Sequence, residues 1–144
     1  MKPAKLKINK NFEPPQLDVN DEIFPNGIFQ FNISKLLNFI KQSPDGFLRK
    51  EVEVETLYKK SPHDQNPSAI DSANLETPII LAEISPGRFN VIDGNHRVEK
   101  ARRLGVKKLF AYKVHPEQHV NFLISNESYK KYVEYWNSKV DEAE

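Results

Sequence analysis

Several side chains capable of chemistry crowd into the short stretch NVIDGNHRVEKARRLG. It begins as a run of strand-forming residues, continues with helical spacing, and joins the two through Asp93, Gly94, Asn95, His96 and Arg97. A strand that enters a helix through Asp-Gly leaves the first helical N–H groups unpaired. Together with the helix dipole these groups form an anion site. The junction therefore predicts a phosphate-binding site, with an ordinary polar turn as the alternative.

The residue types at the junction suit phosphate chemistry. Gly94 lets the backbone approach a ligand closely, and the amides after it, starting with Asn95, can hold phosphate oxygens. Arg97 can grip phosphate through two bonds, and His96 can donate a hydrogen bond or carry a proton. Asp93 would repel bare phosphate but can hold Mg²⁺ or accept a proton, so we assign it catalytic and metal-binding roles. In the alternative, Asn95 caps the helix and Arg97 is a surface residue.

A hairpin and a helix are expected to position this junction. The apolar runs 77–84 and 88–93 are separated by Ser85-Pro86-Gly87, and Pro-Gly suits the inner positions of a type II turn. After the junction the spacing predicts a helix that buries Val98, Ala101 and Leu104, and Gly105 ends it. Residues 107–114 predict a further strand.

The rest of the chain supplies the surrounding elements. Residues 1 to about 25 are rich in Pro, Asn and charge and predict an irregular arm. A helix follows Asn32 as N-cap, and the alternation in residues 51–56 predicts a half-buried strand. Pro67 starts a short helix. At the C-terminal end, a helix presents an apolar stripe that forms core or a partner surface, made of Tyr129, Tyr132, Val133, Trp136 and Val140.

Composition limits the classes of protein to consider. The 144 residues fit one domain, which we divide into an arm and helix (1–50), a core (51–114) and a helical extension packed on that core (115–144). We expect an α+β fold with a small mixed β-sheet and flanking helices. Without cysteine, disulfides, thiolate metal sites and cysteine nucleophiles are excluded. No run approaches the length of a membrane span, so we expect a soluble, cytoplasmic protein with no membrane partner.

Charge is unevenly distributed although the net charge is only +1. Residues 94–114 contain seven Lys or Arg and one acid, whereas residues 51–93 contain eight acids and three bases. The basic segment, with its centre at residues 100–108, could contact phosphate or DNA. A solvated helix face is the simpler interpretation.

The junction and its surroundings resemble the ParB/sulfiredoxin superfamily. The similarity covers residues 51–114 and lies in a strand–Gly–x–x–Arg–helix motif that binds nucleotide phosphates in that superfamily. Sulfiredoxins place a catalytic cysteine where this chain has Asn95, so their activity is excluded. Partition ParB proteins read Gly-Glu-Arg-Arg, bind CTP and carry a helix-turn-helix domain. The thirty residues after Val114 are too few for such a domain.

The motif is most similar to that of the free-serine kinases of this superfamily, which read Asp-Gly-His-His-Arg. Those enzymes have an upstream Pro-His-Glu-Gln whose acid is the catalytic base, and this chain has Pro62-His63-Asp64-Gln65. The resemblance therefore implies a catalytic role for Asp64, with ATP or ADP (CTP as the alternative) and Mg²⁺ as cofactors. A polar loop is the alternative for this segment, with His63 as a loop histidine.

A second pair of histidines, His115 and His119, flanks Glu117. A metal pair on a helix is conceivable, but no third ligand is evident and Pro116 favours a helix start. Three functions are consistent with the chain as a whole. The first is a nucleotide phosphate-binding protein, potentially a phosphotransferase acting on a small hydroxyl substrate such as a free amino acid. The second is a ParB-like DNA-binding or nuclease-like module, and the third is a non-catalytic interaction protein.

Overall fold

The computed structural model describes residues 3–26, 29–47, 49–57 and 67–142. The fold is α+β, with mixed β-structure and flanking helices, as expected. In chain order the elements are β1 (Ile23–Asn26), β2 (Phe29–Asn32), α1 (Ile33–Gln42), β3 (Arg49–Glu53), α2 (Val54–Leu57), α3 (Pro67–Ser72), β4 (Ile79–Ser85), β5 (Arg88–Asp93), α4 (Asn95–Leu104), β6 (Lys108–Val114), α5 (Pro116–His119) and α6 (Asn126–Glu142).

The main sheet has the strand order β3-β6-β4-β5. β4 pairs antiparallel with β5 and parallel with β6, so α4 carries the chain from one edge strand over β4 to its other side. The predicted hairpin is confirmed: Ser85 pairs with Arg88, and Gly87 has the positive φ of 75° that a type II turn requires. This arrangement places the end of β5 and the start of α4 at one end of the sheet.

Both faces of the sheet are covered, since successive side chains of β4 belong alternately to two apolar clusters. Ile80 and Ala82 belong to a cluster that includes β2, α1 and α6, whereas Ile79 and Leu81 face α4. The predicted stripe of α6 lies in the first cluster, and each of its five residues is at most 6% exposed. It is core, which removes the interpretation of this stripe as a partner surface.

Three expectations about local structure are wrong. Ile23–Asn26 and Phe29–Asn32 form an antiparallel pair, β1 and β2, where we expected no strand; Asn26-Gly27 in the sequence is a local hairpin signal that the prediction overlooked. β3 spans Arg49–Glu53, and the helical turn α2 begins at Val54, whose N–H still donates to Lys107 O at 2.9 Å. Leu104 is 64% exposed. Val106, beyond the helix end, packs against the α4 side of the sheet instead.

Other boundaries are confirmed. Asn32 is the N-cap of α1, since its Oδ1 accepts from Lys35 N at 3.0 Å, and Pro67 begins α3. Gly105 ends α4 with a φ of 73°. Within the described residues, no helix has the length and apolarity needed to cross a membrane.

Candidate functional site

The segment from Asp93 to Arg97, which we name the β5–α4 corner, turns sharply from strand into helix at Gly94. Gly94 has φ 108° and ψ 20°. A Cβ at this position would lie 2.4 Å from Ile79 Cγ2 and 2.9 Å from Arg97 Nη2, so no larger residue fits without a shift. Two features therefore require glycine at this position: the backbone conformation and the close packing against β4.

The N-terminus of α4 has no capping side chain. Gly94 occupies the N-cap position, and its carbonyl accepts the first helical bond from Val98 N at 3.0 Å. Asn95 is the first helical residue and is exposed, so the alternative in which Asn95 caps the helix is wrong. Among the described residues, no side chain is bonded to the amides of the first turn. This is the arrangement in which helix N-termini bind anions.

Arg97 lies inside the corner. Its Nη2 donates to Asp93 Oδ2 at 3.2 Å and to Pro78 O at 3.5 Å, and the Arg97 and Asp93 side chains are 17% and 14% exposed. Its Nε is buried without a hydrogen-bond partner within the described part of the chain. Such a guanidinium gains hydrogen bonds from an anion that enters the corner. Arg97 is thus not the ordinary surface residue of the alternative interpretation.

Asp93 fits a partial role toward Mg²⁺. One of its oxygens already contacts Arg97, and among the described residues no group of three or more acidic or histidine side chains could form a complete metal cage. Mg²⁺ in nucleotide enzymes is commonly bound by one or two carboxylates together with substrate phosphates. The donor set at the corner fits that mode, in which Asp93 would hold the ion only together with a ligand.

His96 lies on the first turn of α4 and is half-buried. A positive charge on His96 would lower the pKa of the Glu22 carboxyl, as the charge of Arg97 does, whereas the charge of Asp93 raises that pKa. Asp93, Gly94, Asn95, His96 and Arg97 are consecutive residues of this corner, and their roles in catalysis or binding stay predictions. The predicted base Asp64, with His63 beside it, lies outside the described residues.

Glu22 is an acidic residue near the corner that the sequence did not single out. It belongs to the N-terminal arm, just before β1, and β1 packs against β5. Partial burial raises the pKa of the Glu22 carboxyl, the Asp93 charge raises it further, and Arg97 and His96 oppose both effects. No local pattern marks this residue, because the arm reaches the corner only through tertiary packing.

The other candidate residues have structural roles. His119 is fully buried, with Nε2 at 2.8 Å from Glu83 O, while His115 Nδ1 lies 2.8 Å from Glu83 Oε1. Among the described residues no group of three or more histidine or acidic side chains could hold a metal ion here, and Pro116 starts α5 as the alternative predicted.

Three cations of the basic segment already contact groups of the protein. Arg102 and Arg103 contact Glu99, and Lys100 Nζ donates to Asp71 O and Ala73 O, both at 2.8 Å. These three cations hold α4 together and tie it to the end of α3. Glu99 thus offsets part of the charge of the two arginines, while the Lys100 ammonium is bonded to backbone carbonyls.

Taken together, the corner is a helix N-terminus with an open first turn, a guanidinium beside it and carboxylates on its rim. It can bind an anion and hold a cation next to that anion. No protein-family model matches this chain, and searches of curated proteins and of solved structures also found no match.

Proposed function

We propose that this protein binds the phosphates of a nucleotide at the β5–α4 corner and transfers a phosphoryl group to a small hydroxyl substrate, such as a free amino acid. The observation that carries the proposal is the uncapped N-terminus of α4, which opens directly after a close-packed glycine and beside a guanidinium with an unused buried donor. Helix amides and arginine together supply the geometry that phosphate oxygens require.

Each residue of the corner has its own role in the proposed phosphoryl transfer. The amides of Asn95 and its neighbours bind phosphate oxygens, and Arg97 neutralises the charge that accumulates during transfer. His96 can donate a hydrogen bond to the same group. Mg²⁺, when bound, neutralises phosphate charge, and Asp93 is the residue that would hold it.

The resemblance to the free-serine kinases supports the choice of reaction. By that resemblance, Asp64 takes the proton of the attacking hydroxyl, and ATP or ADP is the donor, with CTP as the alternative. The DNA-binding function is supported less well, because Lys100, Arg102 and Arg103 already bond groups of the protein. DNA binding would show itself by a steep loss of affinity with salt.

The test is a titration of the wild-type protein with ATP, ADP and CTP in the presence of Mg²⁺, measured by calorimetry and thermal shift. Turnover is then assayed with free amino acids. We expect at least one nucleotide to bind, and Arg97→Ala to weaken that binding by about tenfold to a hundredfold, since charge-assisted bonds contribute about 1.5–3 kcal/mol.

Arg103→Ala is the matched control, because it removes the same charge from the last turn of the same helix. Its side chain is 49% exposed and lies 3.7 Å from Glu99. We expect nucleotide affinity to remain within about twofold of wild type, since the screened charge lies far along the helix. Equal losses in both variants, or no nucleotide binding by the wild type, would contradict the proposal.

A further inference from the structure

A cleft opens between the β4–β5 turn and the last turns of α6. Its volume is about 640 Å³, and the residues that line it include Ile84 and Arg88 from the hairpin and Tyr135, Lys139 and Glu142 from α6. Sites for small organic ligands in proteins commonly have volumes of about 300–1,000 Å³. The cleft is therefore large enough to hold such a ligand.

The cleft lies where the apolar packing between the sheet and α6 ends. Alternate side chains of β5 point to one face of the sheet, so Arg88 and Asn90 share the face of the buried Ile92. Ile92 packs in the first apolar cluster, together with side chains of α6. Towards the turn, polar side chains replace apolar ones on this face, and a cleft between strand and helix takes the place of packed core.

Two cations from different elements line this cleft. Arg88 is exposed, and its guanidinium forms no hydrogen bond or ion pair within the part of the chain that the structure describes. Lys139 Nζ lies 3.2 Å from Glu142 Oε2, but the Glu142 side chain is 67% exposed, so solvent screens this pair. The charged side chains of the cleft therefore carry a net positive charge, and one cation is available to an external anion.

Apolar surface lies beside these cations. Ile84 is almost fully buried and belongs to the first apolar cluster, whereas Tyr135 is 36% exposed. The Tyr135 ring packs against Phe29 at 5.4 Å between centroids, and Lys139 Nζ lies 5.4 Å from the same ring. A supported, partly exposed aromatic ring can stack on a planar ligand, and neighbouring cations can bind an anionic group of that ligand.

We propose that this cleft binds a small organic anion, namely a carboxylate or phosphate monoester carried on an aromatic ring system. The anionic group contacts Arg88 and Lys139, and the ring lies against Tyr135. Arg88 and Asp93 are the two ends of β5, and at about 3.3 Å per residue the strand places them about 17 Å apart. The cleft is thus a second site, separate from the β5–α4 corner and independent of the proposed function.

The test titrates the isotope-labelled full chain with naphthoate, naphthyl phosphate and uncharged naphthamide, followed by NMR chemical shifts. We expect the backbone amides of Gly87, Arg88 and Phe89 to shift to saturation with at least one of the two anions. Its affinity should be about tenfold higher than that of naphthamide, which has the same ring without the charge. The preferred anion shows whether the site takes a carboxylate or a phosphate. Inorganic phosphate should bind about threefold to tenfold more weakly than naphthyl phosphate, because it cannot stack on Tyr135.

Three variants test the assigned charges. Arg88→Gln should weaken binding of the preferred anion about tenfold, and Lys139→Gln about threefold, since Lys139 already has a partner. Glu142→Gln should strengthen binding about twofold, because it removes the carboxylate that competes for Lys139. Lys131→Gln is the control, since it makes the same change at an exposed lysine of α6 that does not line the cleft. Arg97→Ala should also keep the wild-type affinity, because it alters only the β5–α4 corner.

Several outcomes would overturn the proposal. These are the absence of saturable shifts in the wild type, equal affinities for the anions and for naphthamide, and an affinity in Arg88→Gln that equals that of Lys131→Gln. Shifts confined to the β5–α4 corner and lost in Arg97→Ala would place the anion at the corner, and would also overturn a site in the cleft.

Discussion

At the scale of single residues, Gly94 is the position on which the corner depends most. It combines a positive φ with contact to Ile79 and Arg97, whereas Gly87 in the β4–β5 turn has a positive φ of 75° and open space, with nothing within 4 Å, where a Cβ would lie. A side chain at Gly87 would cost only backbone strain, whereas a side chain at Gly94 would cost backbone strain and a steric clash. The clash at Gly94 would involve Arg97, a residue of the proposed phosphate site.

Gly94→Ala should lower the free energy of unfolding by about 2–4 kcal/mol, since it adds a clash with Ile79 to the conformational penalty. Gly87→Ala should cost only about 1–2 kcal/mol, the conformational part alone. Urea denaturation of the two variants measures the difference. If the two losses are equal, the close packing of Gly94 against β4 is not maintained in solution.

At the scale of elements, the N-terminal arm is bound along α6 by side chains that recognise its backbone. Asn137 forms two bonds with Leu6, accepting from its N–H at 2.8 Å and donating to its carbonyl at 3.0 Å. Trp136 Nε1 donates to Ala4 O at 2.9 Å, and the Phe12 ring stacks on Tyr129 with 4.1 Å between centroids. The segment predicted as an irregular arm is thus irregular in conformation but specifically docked.

Asn137→Ala should release this arm locally, because both bonds to Leu6 are lost and each contributes about 1 kcal/mol. We expect amide hydrogen exchange at Leu6 to accelerate by about tenfold or more, with β4 amides such as those of Ile80 and Ala82 unchanged. Ser138→Ala is the control next to it, since in the described part of the chain Ser138 Oγ bonds Tyr135 O of the same helix and not the arm. Exchange that rises equally at Leu6 and in β4 would show that the arm and the sheet open as one unit.

At the scale of the whole molecule, His119 joins several elements in the first apolar cluster. Its Nε2 contacts Glu83 O of β4, its ring packs edge-on against Phe31 of β2 at 5.2 Å, and Tyr132 of α6 lies beside it. Burial lowers the pKa of His119 to about 4, against the smaller opposing effects of Glu83. The nearby His115 lowers the pKa slightly further. Protonation of this histidine therefore acts against the fold as a whole.

The free energy of unfolding should decrease as the pH falls from about 6.5 to about 4. In this window the unfolded chain binds a proton at His119 that the folded chain does not, so acid favours unfolding. The full contribution is about 3 kcal/mol, the equivalent of the pKa difference. Urea denaturation of the wild type and of His119→Met, at several pH values, measures it.

The stability of His119→Met should depend much less on acid than that of the wild type. The variant loses the bond between His119 and Glu83 O, but Tyr132 OH still donates to Glu83 O at 2.7 Å. A wild-type acid dependence in His119→Met would mean that other groups cause the loss of stability.

The sequence by itself determined the features that arise from short-range patterns. Pro86-Gly87 predicted the β4–β5 turn, and Gly105 predicted the end of α4, because each position requires a backbone conformation that few residues adopt. Apolar spacing predicted the buried stripe of α6. The strand–Gly–helix junction predicted the β5–α4 corner, since its geometry follows from residues adjacent in the chain.

Only the tertiary structure decided which distant segments meet. The docking of Leu6 on Asn137 of α6 and the packing of β1 against β5 depend on long-range contacts that leave no periodic signal in the arm. Likewise, helical spacing placed Leu104 on the buried face of α4, whereas the folded chain leaves this residue 64% exposed. Periodicity predicts which face of an element is apolar, whereas the neighbours of that face are chosen by the packing of the whole chain.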